Sequence, residues 1–303
     1  MDSLQPVLMI DNETMVNATS YGPFDERLMR LQQPWRLDLG DHPKYPAFGF
    51  EKLDHIYWRQ FVWEHPMYPY VACVLYLATI FGIQHYMKDR APLKLKTPLV
   101  IWNWALAIFS IMGFYRLGQE LGDLVFGQEN GLHKSICEVQ GHYIPAAFWG
   151  LLFTFSKYIE LGDTVFIALR KQPLLALQWY HHCLVTVFAW VLYSWQEPIL
   201  RVYAVMNYGA HSIMYPYFAL RGMNIKVPEI FAMLITTIQV MQMIAGVSMN
   251  AYSLYVWGKG EECSRNPYSI AFSLFTYFSL WIMFIQFFVA KYISRTRKKN
   301  KAE

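Results

Sequence analysis

Charged side chains are scarce: Asp, Glu, Lys and Arg make up 16% of the 303 residues, against about 25% in an ordinary soluble domain. That shortage, with 55% hydrophobic and 17% aromatic residues, excludes an ordinary water-soluble enzyme and points to a membrane protein. The opening "MDSLQPVLMIDNETMVNATS" lacks a basic stretch followed by an apolar core and a small-residue cleavage site, so no cleaved signal peptide is expected and the first span must direct insertion. There is no long internal repeat, no low-complexity tract and no Gly-rich phosphate loop. Chemistry therefore has to come from polar residues inside the apolar runs.

Those runs are plentiful. Tyr70 to Tyr86, Pro98 to Tyr115, Tyr143 to Leu169, Leu174 to Trp195, Ile199 to Leu220, Ile230 to Trp257 and Tyr268 to Ile293 are seven in number, each near the roughly 20 residues that a spanning helix needs. The expected fold is all-α, a polytopic bundle of seven transmembrane helices. Residues 1–67 form an N-terminal segment with an aromatic interfacial stretch, 68–293 the membrane domain and 294–303 a basic tail. Lys88, Arg90, Lys94, Lys96, Arg170, Lys171, Arg221, Lys226 and the tail concentrate the positive charge in alternate connections, which places them in the cytosol and the N-terminus in the lumen.

Other residues fit that orientation. Asn12 and Asn17 head Asn-x-Thr triplets, glycosylation acceptors on a lumenal segment. Cys137 and Cys263 fall in two lumenal connections, where an oxidising compartment permits a disulfide between them. Lys299 and Lys301, fifth and third from the end, match a dilysine retrieval signal for the endoplasmic reticulum.

Ionisable groups within spans are costly and usually face a bundle interior or a water-filled cavity. In the third run, Lys157, Glu160, Asp163 and Thr164 share an arc of about 120° at 100° per residue. In the fourth, His181 and His182 lie about −60° and +40° from Gln178. Asn207 and His211 stand at i, i+4 in the fifth, with Met214 and Tyr215 a turn further on. Thr236, Gln239 and Gln242 repeat at i+3 in the sixth. Counted from the cytosolic ends, Asp163, His181, His211 and Gln239 sit roughly 10 to 17 Å deep. Four helices thus bring polar groups to one layer, as a shared cavity would require.

Three chemistries suit such a cavity. A di-iron centre needs about eight imidazoles; only His181, His182 and His211 of the nine histidines reach the layer, although counting leaves open one zinc ion on His181, His182 and Asp163. A transporter would use the same charges as a proton relay, yet the paired, Gly- or Pro-broken spans of inverted-repeat carriers are missing. The third is covalent or acid–base catalysis by imidazole, with Asp163 or Glu160 orienting the ring.

"KYIELGDT" (157–164), "QWYHH" (178–182), "NYGAHSIMYPY" (207–217) and "TTIQVMQ" (236–242) resemble, in order and spacing, the four signatures of the ELO fatty-acid elongase family. The similarity runs from about Tyr68 to Ile293. The resemblance implies an endoplasmic-reticulum 3-ketoacyl-CoA synthase that condenses a long-chain acyl-CoA with malonyl-CoA and releases CO2 and CoA. It implies a tunnel for the acyl chain within the seven helices, CoA entering from the cytosol, and an acyl-imidazole on the position matched by His181. His182 and His211 would assist acyl transfer and malonyl decarboxylation. Lys157, Glu160, Asp163, Gln178, Asn207, Gln239 and Gln242 would support catalysis; Thr164, Met214, Tyr215, Tyr217 and Thr236 would line the substrate. No bound metal or other cofactor and no nucleic-acid partner is expected, only acyl-CoA, malonyl-CoA, membrane lipid and the reductases and dehydratase of the cycle. "LQWYHH" is closest to the subgroup acting on saturated and monounsaturated chains. Two positions depart from the family pattern: Gln178, where a histidine is usual, and Phe218, where a tyrosine is usual. Gln178 keeps a non-catalytic, regulatory homologue open as an alternative, unless an amide can replace the ring as a hydrogen-bonding group.

Overall fold

Local signals in the chain open several helices where the apolar runs begin. The Asp54 carboxylate accepts from the Tyr57 N–H at 2.9 Å and starts α1 (His55–Glu64), relieving one of the unpaired amides of a first turn. Pro69, Pro145 and Pro267 stand in the first turns of α2 (Tyr68–Tyr86), α5 (Ile144–Glu160) and α10 (Pro267–Phe288), where proline's missing N–H costs nothing. Between these lie α3 (Lys96–Gly127), α4 (Gly131–Cys137), α6 (Gly162–Leu169), α7 (Ala176–Ser194), α8 (Leu200–Gly222) and α9 (Glu229–Gly258). The computed structural model describes residues 7–10, 14–17, 39–139 and 143–293. Asn12, Lys299 and Lys301 lie outside them. The described residues form a helical bundle together with one antiparallel hairpin, β1 (Val7–Ile10) and β2 (Thr14–Asn17), registered Val7 to Asn17 and Ile10 to Thr14.

All seven apolar runs are helical. Among the described residues three helices, Lys96–Gly127, Glu229–Gly258 and Pro267–Ile293, are long and apolar enough to cross a membrane; a fourth crossing results if Gly49–Glu64 and Tyr68–Tyr86, bent by 64°, act as one span. Their outer faces carry large apolar side chains in series, such as Val71, Val74 and Leu75 on α2 and Ile230, Phe231 and Leu234 on α9. Such a girdle suits lipid rather than water.

Two expectations need correction. The second run ends at Tyr115 by hydropathy, yet α3 continues to Gly127 and buries Arg116, Leu117, Glu120 and Leu124. Partnered charges explain this: the Arg116 guanidinium donates to Glu51 at 2.5 and 2.8 Å, and Trp149 Nε1 donates to the same carboxylate at 2.7 Å. Burial opposes ionisation of Glu51, but Arg116, the Phe48 N–H and Trp149 together hold its carboxyl below its ordinary value. The third run is not one helix either. Its hydrogen-bonded ladder breaks at Leu161, whose N–H bonds back to Ile159 O, so Lys157 and Glu160 belong to α5 and Asp163 and Thr164 to α6.

Packing is closest between α3 and α8, and between α9 and α10. A Cβ on Gly113 of α3 would sit 2.6 Å from the Tyr208 ring of α8, and one on Gly246 of α9 would sit 2.2 Å from the Tyr277 ring of α10. Only glycine lets those aromatic rings reach the neighbouring backbone. The core around them is aromatic, with Trp149, Phe188, Trp190, Tyr203, Tyr208 and Tyr277 buried. A disulfide joins Cys137 at the end of α4 to Cys263 before α10. Near it the Arg265 guanidinium, fully enclosed, donates to Glu197 at 3.0 Å, to Asn250 Oδ1 at 2.8 Å and to Ser253 Oγ at 2.9 Å. Arg265 is therefore a buried charge with its partners in place.

Candidate active site

The last turns of α5 point Lys157 and Glu160 into the bundle, and both side chains are almost wholly buried, at 2% and 3% exposure. Lys157 Nζ donates to Glu160 Oε1 at 2.7 Å and to Asn207 Oδ1 of α8 at 2.8 Å. Ser156 Oγ also donates to Glu160 Oε1, at 3.0 Å. One turn along α8, His211 presents Nδ1 to Glu160 Oε1 at 3.8 Å, beyond hydrogen-bond reach, and Nε2 to Asn207 Nδ2 at 3.4 Å.

These contacts assign the imidazole's proton. An ammonium only donates, so the Asn207 atom facing Lys157 is its carbonyl oxygen, and the amide nitrogen faces His211. That nitrogen donates, so His211 Nε2 must be the bare acceptor, and the ring proton sits on Nδ1, toward Glu160. Lys157 thereby sets the tautomer of a histidine on another helix.

The adjacent pair on α7 completes the group. His181 and His182 meet edge to face with ring centroids 5.4 Å apart, and His181 stands against Phe284 of α10 at 6.2 Å. Thr186 ties α7 to α5, its hydroxyl in reach of His182 O at 2.7 Å and Lys157 O at 3.4 Å. All three imidazoles lie within electrostatic range of Glu160. His182 Nδ1 and Glu160 Oε2 are buried with no hydrogen-bond partner. Buried polar atoms left open in this way are rare in folded proteins, and these two belong to the cluster of imidazoles, lysine and carboxylate.

The remaining residues from the sequence divide among other contacts. Asp163 does not join the imidazoles: Trp102 Nε1 of α3 donates to its Oδ1 at 2.6 Å and Tyr215 OH to its Oδ2 at 3.0 Å. Among the described residues no three His, Cys, Asp or Glu side chains converge as a metal site, so the set His181, His182 and Asp163 is not brought together. Thr164 accepts from Tyr76 OH at 2.7 Å. Gln239 donates to the Met214 sulfur at 3.3 Å, linking α9 to α8, and Thr236 donates to Ala232 O and meets Tyr292 OH at 3.3 Å. Gln178 and Gln242 make no side-chain hydrogen bond to described residues, and Tyr217 packs on Phe218 with centroids 5.4 Å apart. A cavity of about 30 Å³ lies instead toward the disulfide end, bounded by Arg59, Tyr193, Glu197 and Arg201 and away from the imidazoles; it has room for about two waters. Trp102, Ser156 and Tyr76 were not singled out from sequence, because an indole or hydroxyl inside an apolar run gives no periodic signal.

The model of the ELO family, described as GNS1/SUR4, matches residues 61–300. The chain belongs to the ELO family of very-long-chain fatty-acid elongases. It is 39% identical over 258 residues to human very long chain fatty acid elongase 6, covering 84% of this chain and 94% of that one. Its likeness to the Drosophila melanogaster protein of the same name is 37% over 279 residues, 88% and 85% of the two chains. A Caenorhabditis elegans putative fatty acid elongase 3 is 35% identical over 260 residues, 84% and 80% of the two. The region matched to the ELO family begins inside α1 and takes in every member of the Lys157–Glu160–Asn207–His211 cluster and the histidine pair. The hairpin and the Glu51 anchor on Arg116 have residues before it.

Proposed function

We propose that this elongase condenses a long-chain acyl-CoA with malonyl-CoA to 3-ketoacyl-CoA, CO2 and CoA through an acyl-imidazole on His181. The supporting observation is the convergence of three imidazoles, one lysine and one carboxylate from three helices in a buried site with two open polar atoms. In the first half-reaction the unprotonated ring nitrogen of His181 attacks the thioester carbonyl, the C–S bond breaks, the proton on the other ring nitrogen passes to the leaving thiolate, and CoA departs. In the second, malonyl-CoA loses CO2, and the carbanion so formed attacks the acyl-imidazole carbon. The C–N bond breaks and the imidazole takes up a proton, so the balance is acyl-CoA plus malonyl-CoA plus H+ giving 3-ketoacyl-CoA, CO2 and CoA. His182 relays protons in acyl transfer, while His211 assists malonyl decarboxylation. A dry site keeps the acyl-imidazole from hydrolysis.

The wider reading is a seven-span domain over 68–293 in the endoplasmic reticulum membrane, N-terminus lumenal and glycosylated at Asn12 or Asn17, C-terminus cytosolic with Lys299 and Lys301 as retrieval signal. The acyl chain would extend from His181 toward the disulfide end, and the substrate class is saturated and monounsaturated chains. Reductases and a dehydratase of the same membrane would consume the product.

The test is purified protein in detergent with labelled malonyl-CoA and a panel of acyl-CoAs. The expected result is 3-ketoacyl-CoA from the wild type, none from His181→Ala, and an acyl mass on the peptide bearing His181. Gln178 favours a second reading, a non-catalytic homologue; wild-type protein that binds acyl-CoA and forms neither product nor acyl-enzyme would support it. Stoichiometric iron, or flux of unconverted substrate into proteoliposomes, would overturn both.

A further inference from the structure

We infer that Trp102, Asp163 and Tyr215 form a positioning clamp for His211, so that the carboxylate of Asp163 acts through Tyr215 and never on an imidazole directly. The inference rests on the proposed condensation. Asp163 bridges two helices that it does not belong to: its Oδ1 takes the indole N–H of Trp102 on α3 at 2.6 Å, its Oδ2 the hydroxyl of Tyr215 on α8 at 3.0 Å. Both oxygens are thus engaged by neutral donors, the indole in the shorter bond.

Tyr215 stands one turn beyond His211 on the same face of α8, and the rings meet at 80° with centroids 5.0 Å apart. Its body is buried against Leu106 and Ala107 of α3. Held at the hydroxyl by Asp163 and along the ring by α3, Tyr215 walls one side of the imidazole. Asn207 and Glu160 address the two ring nitrogens from other sides. A ring turned over would put Cδ2 where Nδ1 stands and Cε1 where Nε2 stands, so that Glu160 and Asn207 would each face carbon instead of nitrogen. The wall opposes that rotation.

Gly162 is part of the device. A Cβ there would lie 2.8 Å from the Trp102 ring, so the residue before Asp163 must be glycine for the indole to approach close enough to donate. Trp102 carries no motif of its own, and the clamp gives it a role.

Misplacing a catalytic ring by about 1 Å can cost on the order of 100-fold, and loosening one bond of the clamp should cost less. Trp102→Phe removes the N–H and keeps an aromatic ring; Tyr215→Phe removes the hydroxyl and keeps the wall. Each should lower kcat for 3-ketoacyl-CoA formation by about tenfold with KM for both CoA esters within about twofold. The pre-steady-state release of CoA from acyl-CoA alone, which precedes the decarboxylation that His211 assists, should fall much less than product formation. The double variant should be no slower than the slower single one, since both bonds work through the same carboxylate. Asp163→Asn, matched in shape, carries the same expectation if either aromatic variant fails to purify as a folded protein. Multiplying effects in the double variant, equal loss of both half-reactions, a selective rise in KM or unchanged kcat would each overturn the clamp. Wild-type protein that makes no 3-ketoacyl-CoA would instead overturn the condensation itself.

Discussion

Lys157→Met removes one partner of a buried ion pair and keeps the length of the side chain. In the wild type the ammonium lies 2.7 Å from Glu160 Oε1 and 2.8 Å from Asn207 Oδ1, and over the Phe153 ring at 4.3 Å. With Met there, the Glu160 carboxylate keeps only the Ser156 hydroxyl at 3.0 Å, while its Oε2 has no partner. Breaking a buried pair by removing one member costs about 3–5 kcal/mol, because the other charge stays behind uncompensated. At about 2–4 °C per kcal/mol for a large chain, the apparent Tm should fall by roughly 6 to 20 °C. The double variant Lys157→Met/Glu160→Gln removes both charges and forfeits only the hydrogen bonds, about 1–2 kcal/mol. It should therefore melt above the single variant, by about 2 °C or more. Thermal denaturation followed by intrinsic fluorescence in one detergent compares the three proteins, and an activity assay should find both variants inactive. A single variant within about 2 °C of wild type, or a double variant less stable than the single, would refute the buried-pair reasoning.

Reduction of the Cys137–Cys263 disulfide opens a loop of 126 residues, which by chain entropy is worth up to about 5 kcal/mol; reductant should lower the Tm of wild type and leave Cys137→Ser/Cys263→Ser unmoved. On α3, Gly113→Ala meets the Tyr208 ring at 2.6 Å whereas Gly118→Ala meets nothing within 4 Å, so the first should destabilise by about 1–3 kcal/mol and the second should be neutral or stabilise by up to about 1 kcal/mol, read by the same melting assay. Burial pushes His42 below its ordinary value, with Asp123 only partly opposing. The released segment would bind a proton below about pH 6.5 that the docked one refuses. Stability of this segment is therefore full above that pH and lost as pH falls, and amide exchange over residues 39–54 should accelerate on acidification in wild type and respond less in His42→Gln.

Much of the site was legible because a charge inside an apolar run is conspicuous. Lys157, Glu160, His181, His182, Asn207 and His211 all stand out from their neighbours, and helical spacing alone puts each on an inward face. Partnership was not legible. Glu160 and Asp163 are three residues apart and looked interchangeable, yet one takes the Lys157 ammonium beside His211 and the other an indole and a phenol, because the ladder breaks at Leu161 and Trp102 arrives from α3.

Composition and hydrophobic period determined that this chain is a membrane protein built of helices at the seven apolar runs, since a helix satisfies its own backbone and needs only an apolar surface to sit in lipid. The four motifs determined the family. Tertiary structure decided the rest: that α3 runs on to Gly127 because Glu51 meets Arg116, that Lys157 and Asn207 set the proton on His211, and that Asp163 belongs to Trp102 and Tyr215. Hydropathy is a sum over neighbours along the chain. Hydrogen-bond partners here are 50 to 65 positions apart, and only packing three helices within a few ångströms selects which donor meets which carboxylate.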